Sequence, residues 1–354
     1  MQLRLTREDV EILISSIISY ELSKQNNTYF PLLFDLRQRG DFSKLPFDCD
    51  SLALVTLATA VGEYFNVKES GLEENLIRYR DFVSWVDIVC DSLEHYSEGI
   101  TFFTSGTTGE PKRIFHSMES LEKEVLYLAK LLSGAKSIHA FVRPHHIYGF
   151  LYTIALPKFL GVTRVFHEPI PSDAFFQMSQ ESLIVSTPTL YDIVAKKDAN
   201  FLDKITAVSS TQLLEKKTKE RLKERGINKI IEIYGSSETL GVGYRWDESE
   251  EFTLFEYLKK NSLTGVQDSL EWQSENRFKL GARMDETLKS KGYLINAQEY
   301  QKKLEALAGI KSCEVVWSKG ELMAFITPLD KREAMQSLAM FQERKPDSIV
   351  WVNE

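Results

Sequence analysis

The chain opens on apolar positions spaced for helices. Val10, Leu13, Ile14 and Ile17 recur three and four residues apart, and Thr6 with Asp9 three residues on supplies a capping-box start. Behind Asp50, a second stripe runs through Leu54, Leu57, Ala58, Val61 and Phe65; Phe82, Trp85, Val86 and Val89 form a third. A long connection holding Pro31, Gly40 and Pro46 separates the first two. The pattern predicts a small helical domain over residues 1–95.

From about Gly99 the period shortens. β-rich runs at 100–103, 138–142, 183–185, 205–208 and 230–234 alternate with helical stretches at 121–132 and 214–225. That alternation predicts an α/β domain with a largely parallel sheet over residues 96–282. Residues 283–354 carry a helix near 297–307, strands near 313–317 and 322–326, a helix near 332–341 and a last strand at 348–352. They read as a small C-terminal α+β lid. The expected fold class is therefore α/β, with helices ahead of it and a lid behind it.

Composition narrows the function. With 43 Lys+Arg against 51 Asp+Glu the net charge is −8, and no basic block is present, so nucleic acid is not expected as a partner. The longest apolar run, 147–156, is too short to span a bilayer and is capped by Pro157, so no membrane insertion is expected. The N-terminus lacks the apolar stretch of a signal peptide. Cys49, Cys90 and Cys313 are far apart and in no metal-ligand spacing, as for reduced thiols of a cytoplasmic protein.

The strongest chemical signal is Thr104-Ser105-Gly106-Thr107-Thr108-Gly109-Glu110-Pro111-Lys112, directly after the apolar run 100–103. Its glycines allow close backbone approach, its hydroxyls add donors and Lys112 adds a positive charge, which suits a polyphosphate. It is not a Walker A loop, having no G-x-x-x-x-G-K-[ST]. The segment resembles the phosphate loop of the acyl-adenylating superfamily, which contains acyl-CoA synthetases, aryl-CoA ligases and peptide-synthetase adenylation domains.

Further segments resemble that family in its order. Pro144-His145-His146-Ile147-Tyr148-Gly149 is similar to the segment that gates the acyl pocket, with His146 in the gating place. Ser186-Thr187-Pro188 resembles a pocket wall. Tyr234-Gly235-Ser236-Ser237-Glu238 resembles the motif whose Tyr stacks on adenine, whose hydroxyl contacts the α-phosphate and whose Glu holds Mg²⁺. Asp268, 15 residues before Arg283, matches the ribose-binding aspartate and its partner arginine, and Asp285 falls at the lid hinge. Asp50-Ser51-Leu52 resembles the start of an acyl carrier protein's second helix, which implies either a carrier with 4′-phosphopantetheine on Ser51 or a carrier-like scaffold in which Asp50 or Ser51 is only the helix N-cap.

The resemblance implies an ATP- and Mg²⁺-dependent ligase. It would activate an aryl or fatty carboxylic acid as acyl-AMP and pass it to the phosphopantetheine thiol of CoA or an acyl carrier protein. Lys112, His146 and Glu238 are the expected catalytic residues. Three departures stand against the family pattern: few residues precede the phosphate loop, no lysine follows Lys345 where the adenylation lysine is expected, and 209–213 (Ser-Ser-Thr-Gln-Leu) replaces a Gly-rich wall. The alternative they suggest is an ATP- or AMP-binding pseudoenzyme or carrier-docking module.

Overall fold

Thr6 and Asp9 form the expected capping box at the head of helix α1 (Arg7–Asn26). The Thr6 amide donates to Asp9 Oδ2 at 2.6 Å, and the Asp9 amide to Thr6 Oγ1 at 3.3 Å. The computed structural model describes residues 2–26, 30–31, 50–103, 112–202, 204–266, 268–283, 287–290, 293–318, 321–341 and 345–352. It divides into two units, residues 1–264 and 265–354. The division thus falls ahead of the expected residue 283, and none falls near residue 95.

The reason is burial. α1, α2 (Ser51–Tyr64), α3 (Glu73–Arg78) and α4 (Phe82–His95) turn their apolar stripes into one continuous core. Leu13, Leu57, Trp85 and Val89 share it with Ile100, Leu121, Ile154 and Val185 from the α/β layer. A few short helices expose most of their apolar surface when alone; against a sheet they bury it.

In the first unit β1 (Gly99–Phe103) and β2 (Arg113–Ser117) form an antiparallel hairpin that leads into α5 (Met118–Leu131). β3 (Ser137–Ala140) is followed by a helical segment: α6 (Ile147–Gly149), a π turn (Phe150–Ala155) and α7 (Leu156–Leu160). Then come β4 (Thr163–Phe166), β5 (Ser182–Ser186), α8 (Pro188–Ala195), β6 (Ile205–Ser209), α9 (Lys216–Glu224), β7 (Ile227–Ser236), β8 (Leu240–Trp246) and β9 (Phe252–Leu254). Within this unit the strands lie in the order β9-β8-β7-β6-β5-β3-β4. β3 to β7 pair in parallel, and β8 and β9 continue the sheet antiparallel.

Both faces of the sheet are covered, as a parallel sheet requires. Leu183 and Val185 point into the core shared with α1 to α5, whereas Ile184 between them joins Phe175, Tyr191 and Leu222 on the other face. The apolar run 147–156 is the helical segment itself, buried on all sides. No helix among the described residues is long and apolar enough to cross a membrane.

The second unit holds the hairpin β10 (Asp268–Trp272) and β11 (Arg277–Arg283), then β12 (Thr287–Ser290) paired with β13 (Tyr293–Asn296). α10 (Ala297–Glu305) and α11 (Lys331–Met340) accompany a sheet of β14 (Ile310–Ser318), β15 (Glu321–Pro328) and β16 (Ser348–Trp351). Every helix and strand expected after residue 296 is present.

Candidate functional site

Four motif-bearing segments of the first unit leave the carboxyl ends of parallel strands, the edge at which open α/β sheets bind ligands. Residues 141–149 follow β3, 187–188 follow β5, 210–213 follow β6, and 234–238 close β7.

The turn after β7 is tightly constrained. Ser236 donates its amide to Thr239 Oγ1 at 3.0 Å, and its own Oγ accepts the amides of Glu238 and Thr239 at 3.2 Å each. Gly235 lies opposite Gly241 across the β7–β8 hairpin, and a Cβ on Gly235 would stand 2.1 Å from the Leu240 carbonyl oxygen. Two residues before Tyr234, Glu232 accepts from Arg245 Nε at 2.7 Å, from the Leu214 amide at 2.8 Å and from Lys219. These bonds outweigh the cost of burying Glu232 and hold its carboxyl below the ordinary value. His116 on β2 donates from Nε2 to the Ser237 carbonyl at 2.6 Å. Burial lowers its pKa against the opposing pull of that bond and of Glu238. β2 is thereby tied to the Tyr234–Glu238 turn.

The His146 segment folds back on itself. A Cβ on Gly149 would meet the Arg143 carbonyl oxygen at 2.1 Å. Tyr148 donates to the carbonyls of Ser186, at 3.1 Å, and Val208, at 2.8 Å, so it bridges the ends of β5 and β6. His146 packs edge-on to the Tyr20 ring at 5.3 Å and against His145 at 4.3 Å. Burial, assisted by the Arg143 charge, pushes its pKa down to about 4. His145 Nδ1 meets Ser16 Oγ at 2.7 Å, and Arg143 Nη1 donates to Ser19 Oγ at 2.9 Å. One face of α1 therefore forms the wall beside His146.

The carboxyl ends of β5 and β6 carry Ser186 and Ser209, paired in register. Both hydroxyls are buried and have no hydrogen-bond partner among the described residues, as expected of groups that meet a ligand. Ser210 Oγ donates to the Ile233 carbonyl at 3.0 Å, and Thr211 takes φ +81°. That is the left-handed region, unfavourable for a β-branched residue, at the place where the family pattern has glycine. Thr211→Gly is expected to raise stability by about 1 kcal/mol. Urea unfolding of the two proteins checks this; equal or lower stability would show that Thr211 makes compensating contacts.

The structure brings together His146, Tyr148, Ser186 and the β6 end, and separately Tyr234–Glu238 with His116. Residues 104–111 and Asp285 lie outside the described residues. Lys112 is exposed just ahead of β2. Asp268 and Arg283, in the second unit, stand directly opposite each other in the β10–β11 register. Ser51 is exposed at the first turn of α2, and Asp50 caps it through the Ala53 amide at 2.8 Å. His116, Ser16, Ser19 and Tyr20 were not anticipated. The cluster of hydroxyl-bearing residues Ser15, Ser16, Ser19 and Tyr20 in the middle of α1 was the available signal.

Residues 100–257 match the family described as AMP-binding enzyme. A 4-coumarate–CoA ligase of Halorhodospira halophila is 28% identical over 344 residues, spanning 92% of this chain and 88% of the relative. The 4-coumarate–CoA ligase of Rhodobacter capsulatus is also 28% identical, over 92% of this chain and 89% of its own. Among solved structures, ATP-bound MatB from Rhodopseudomonas palustris superposes with a TM-score of 0.52 at 13% identity, covering 78% of this chain and 69% of that one. At that identity the likeness is one of fold. The likeness to AMP-binding enzymes thus runs over residues 100–257, and the likeness to 4-coumarate–CoA ligases over most of the chain.

Proposed function

We propose that the protein is an AMP-forming aryl-CoA ligase. A carboxylic acid attacks the α-phosphate of ATP, giving acyl-AMP and pyrophosphate; the CoA thiol then displaces AMP to give the thioester. The observation that carries this reading is that the His146 segment and the Tyr234–Glu238 turn both lie at the carboxyl ends of strands of one sheet, β3 and β7, in a chain matched over nearly its whole length by CoA ligases. The aromatic surroundings of His146 (Tyr20 and His145) favour an aromatic acid over a fatty one.

In this reading Tyr234 stacks on adenine, Ser237 contacts the α-phosphate, and Lys112 with residues 104–109 offsets phosphate charge. Asp268 takes the ribose hydroxyls beside Arg283, and Asp285 is the hinge. Glu238 suits Mg²⁺, which binds through one or two carboxylates plus substrate phosphates. Among the described residues no group of three or more His, Cys, Asp or Glu could hold a metal ion.

CoA is the preferred thiol. The relatives' match takes in 92% of the chain, so the N-terminal helices are mostly shared with ligases named for CoA. Transfer to a carrier would instead place phosphopantetheine on exposed Ser51; a mass gain after treatment with a phosphopantetheinyl transferase and CoA is the sign of it.

The test is acid-dependent ATP–pyrophosphate exchange over hydroxycinnamic, benzoic and fatty acids, followed by thioester formation with CoA. Exchange with an aromatic acid and its thioester are the expected results. ATP binding without exchange for any acid would overturn the ligase in favour of a nucleotide-binding module.

A further inference from the structure

Glu124 lies on α5 with its side chain turned inward, 1% exposed. A glutamate on such a helix is ordinarily solvated. Here Oε2 accepts the Gly241 amide at 2.9 Å, and the Tyr257 hydroxyl hydrogen-bonds the same carboxyl. The Tyr152 hydroxyl, from the π turn, is an electrostatic neighbour and has no hydrogen-bond partner among the described residues. No ion pair to Glu124 occurs among them either. Burial, only partly offset by the two hydrogen bonds, pushes its pKa up to about 7.

The placement joins three segments. α5 follows β2 and hence the phosphate loop; Tyr152 follows the His146 segment; Gly241 faces Gly235 of the Tyr234–Glu238 motif. The approach is close enough to exclude a side chain at 241. A Cβ there would stand 2.7 Å from Glu124 Oε1 and 2.4 Å from the Phe255 ring.

Linkage gives the cost. The folded protein holds the Glu124 proton to a higher pH than the unfolded chain does, so stability falls as pH rises from the carboxylate range through about 7. A buried group that destabilises the fold when ionised, yet is fastened to the nucleotide motif's backbone, has no purely structural justification.

We infer that Glu124 is a positioning residue: its carboxylate fixes Gly241, and through Gly235 the hairpin that carries Tyr234 and Glu238, for nucleotide binding. The inference rests on the ligase reading only for its nucleotide. Both donors need acceptors, which a carboxylate supplies on both oxygens, and its bond to an amide is roughly twice as strong as that of the neutral acid. The groups facing Glu124 are Tyr152 on the π turn, Tyr257 after β9 with Lys123 over its ring, and Tyr127 on α5 beside Tyr244 of β8. Burial raises the hydroxyls of Tyr127, Tyr152 and Tyr257 above their ordinary value, so they stay neutral while Glu124 titrates.

The experiment measures ATP binding by calorimetry from about pH 5.5 to 8.5 for wild type, Glu124→Gln and Glu124→Leu, with thermal unfolding in parallel. Wild-type affinity is expected to rise several-fold through about pH 7, while Glu124→Gln stays at the low-pH level. Glu124→Leu, which strands the Gly241 amide, is expected to bind about tenfold more weakly. Wild type also loses thermal stability over that range and Glu124→Gln does not. A merely structural role predicts the reverse, with Glu124→Gln destabilised at high pH and its affinity unchanged; that result overturns the inference. If wild type binds no ATP at any pH, the ligase reading fails on its own. Hydrogen exchange at the Gly241 amide then decides: protection that grows as Glu124 ionises and vanishes in Glu124→Leu sustains the inference, and protection indifferent to both overturns it.

Discussion

Asp9→Ala is expected to destabilise the protein by about 3–5 kcal/mol, because it leaves buried cations without their anion. Asp9 is fully buried on α1, where it accepts from Lys158 and, at 2.6 Å, from Arg164 Nη1. Both cations are themselves mostly covered. Burial alone would raise the carboxyl's pKa; the Lys158 bond, the Thr6 amide and the Arg164 charge outweigh it and hold it below the ordinary value. A lowered folded value means the contribution is present above the unfolded carboxyl range and disappears as pH falls through the folded one. Wild type and variant should therefore differ most near neutral pH and converge in acid. Urea unfolding at neutral and acid pH measures this, and a difference below about 1 kcal/mol at pH 7 would mark the cluster as an exposed-type pair.

Glu238→Gln is the larger effect on chemistry. The turn holding it is fixed by bonds that do not involve its carboxyl, from Ser236, Thr239 and His116, so the variant should fold normally. If Glu238 holds Mg²⁺ against the phosphates, removing its charge should slow acid-dependent exchange on the order of 10²–10³-fold. Raising the Mg²⁺ concentration should restore part of the rate. Full activity at every Mg²⁺ concentration would mean that the metal is held elsewhere.

The helical stripes and half of the strands were legible because their pattern is local. Val10, Leu13 and Ile14 read as one face of a helix, and each is fully buried. Among the strands that escaped notice, β2 is the half-polar Arg-Ile-Phe-His-Ser, and β8 carries two glycines. What no local pattern states is what a stripe packs against. A helix face that could close a small bundle serves equally well to cover a sheet, and so the N-terminal helices read as a separate domain. The site was legible as motifs but not as a constellation. Glu124 and His116 have no spacing that distinguishes them from solvated residues; only the backbone they approach, at Gly241 and Ser237, gives them a role.

The bonds of α1 also carry a consequence for how the chain acquires its shape. Ser16 meets a partner 129 residues away, and Asp9 meets partners 149 and 155 away. Helix α1 leaves the ribosome ahead of these partners and cannot settle until residue 164 has followed. At synthesis rates of ~5–20 residues per second, an apolar helix stays uncovered on the order of ten seconds. Contacts of such separation slow folding, since loop closure must precede the gain from packing. The serines and Asp9 on α1 keep that waiting face partly polar, which lowers its tendency to associate with other nascent chains before its own sheet arrives.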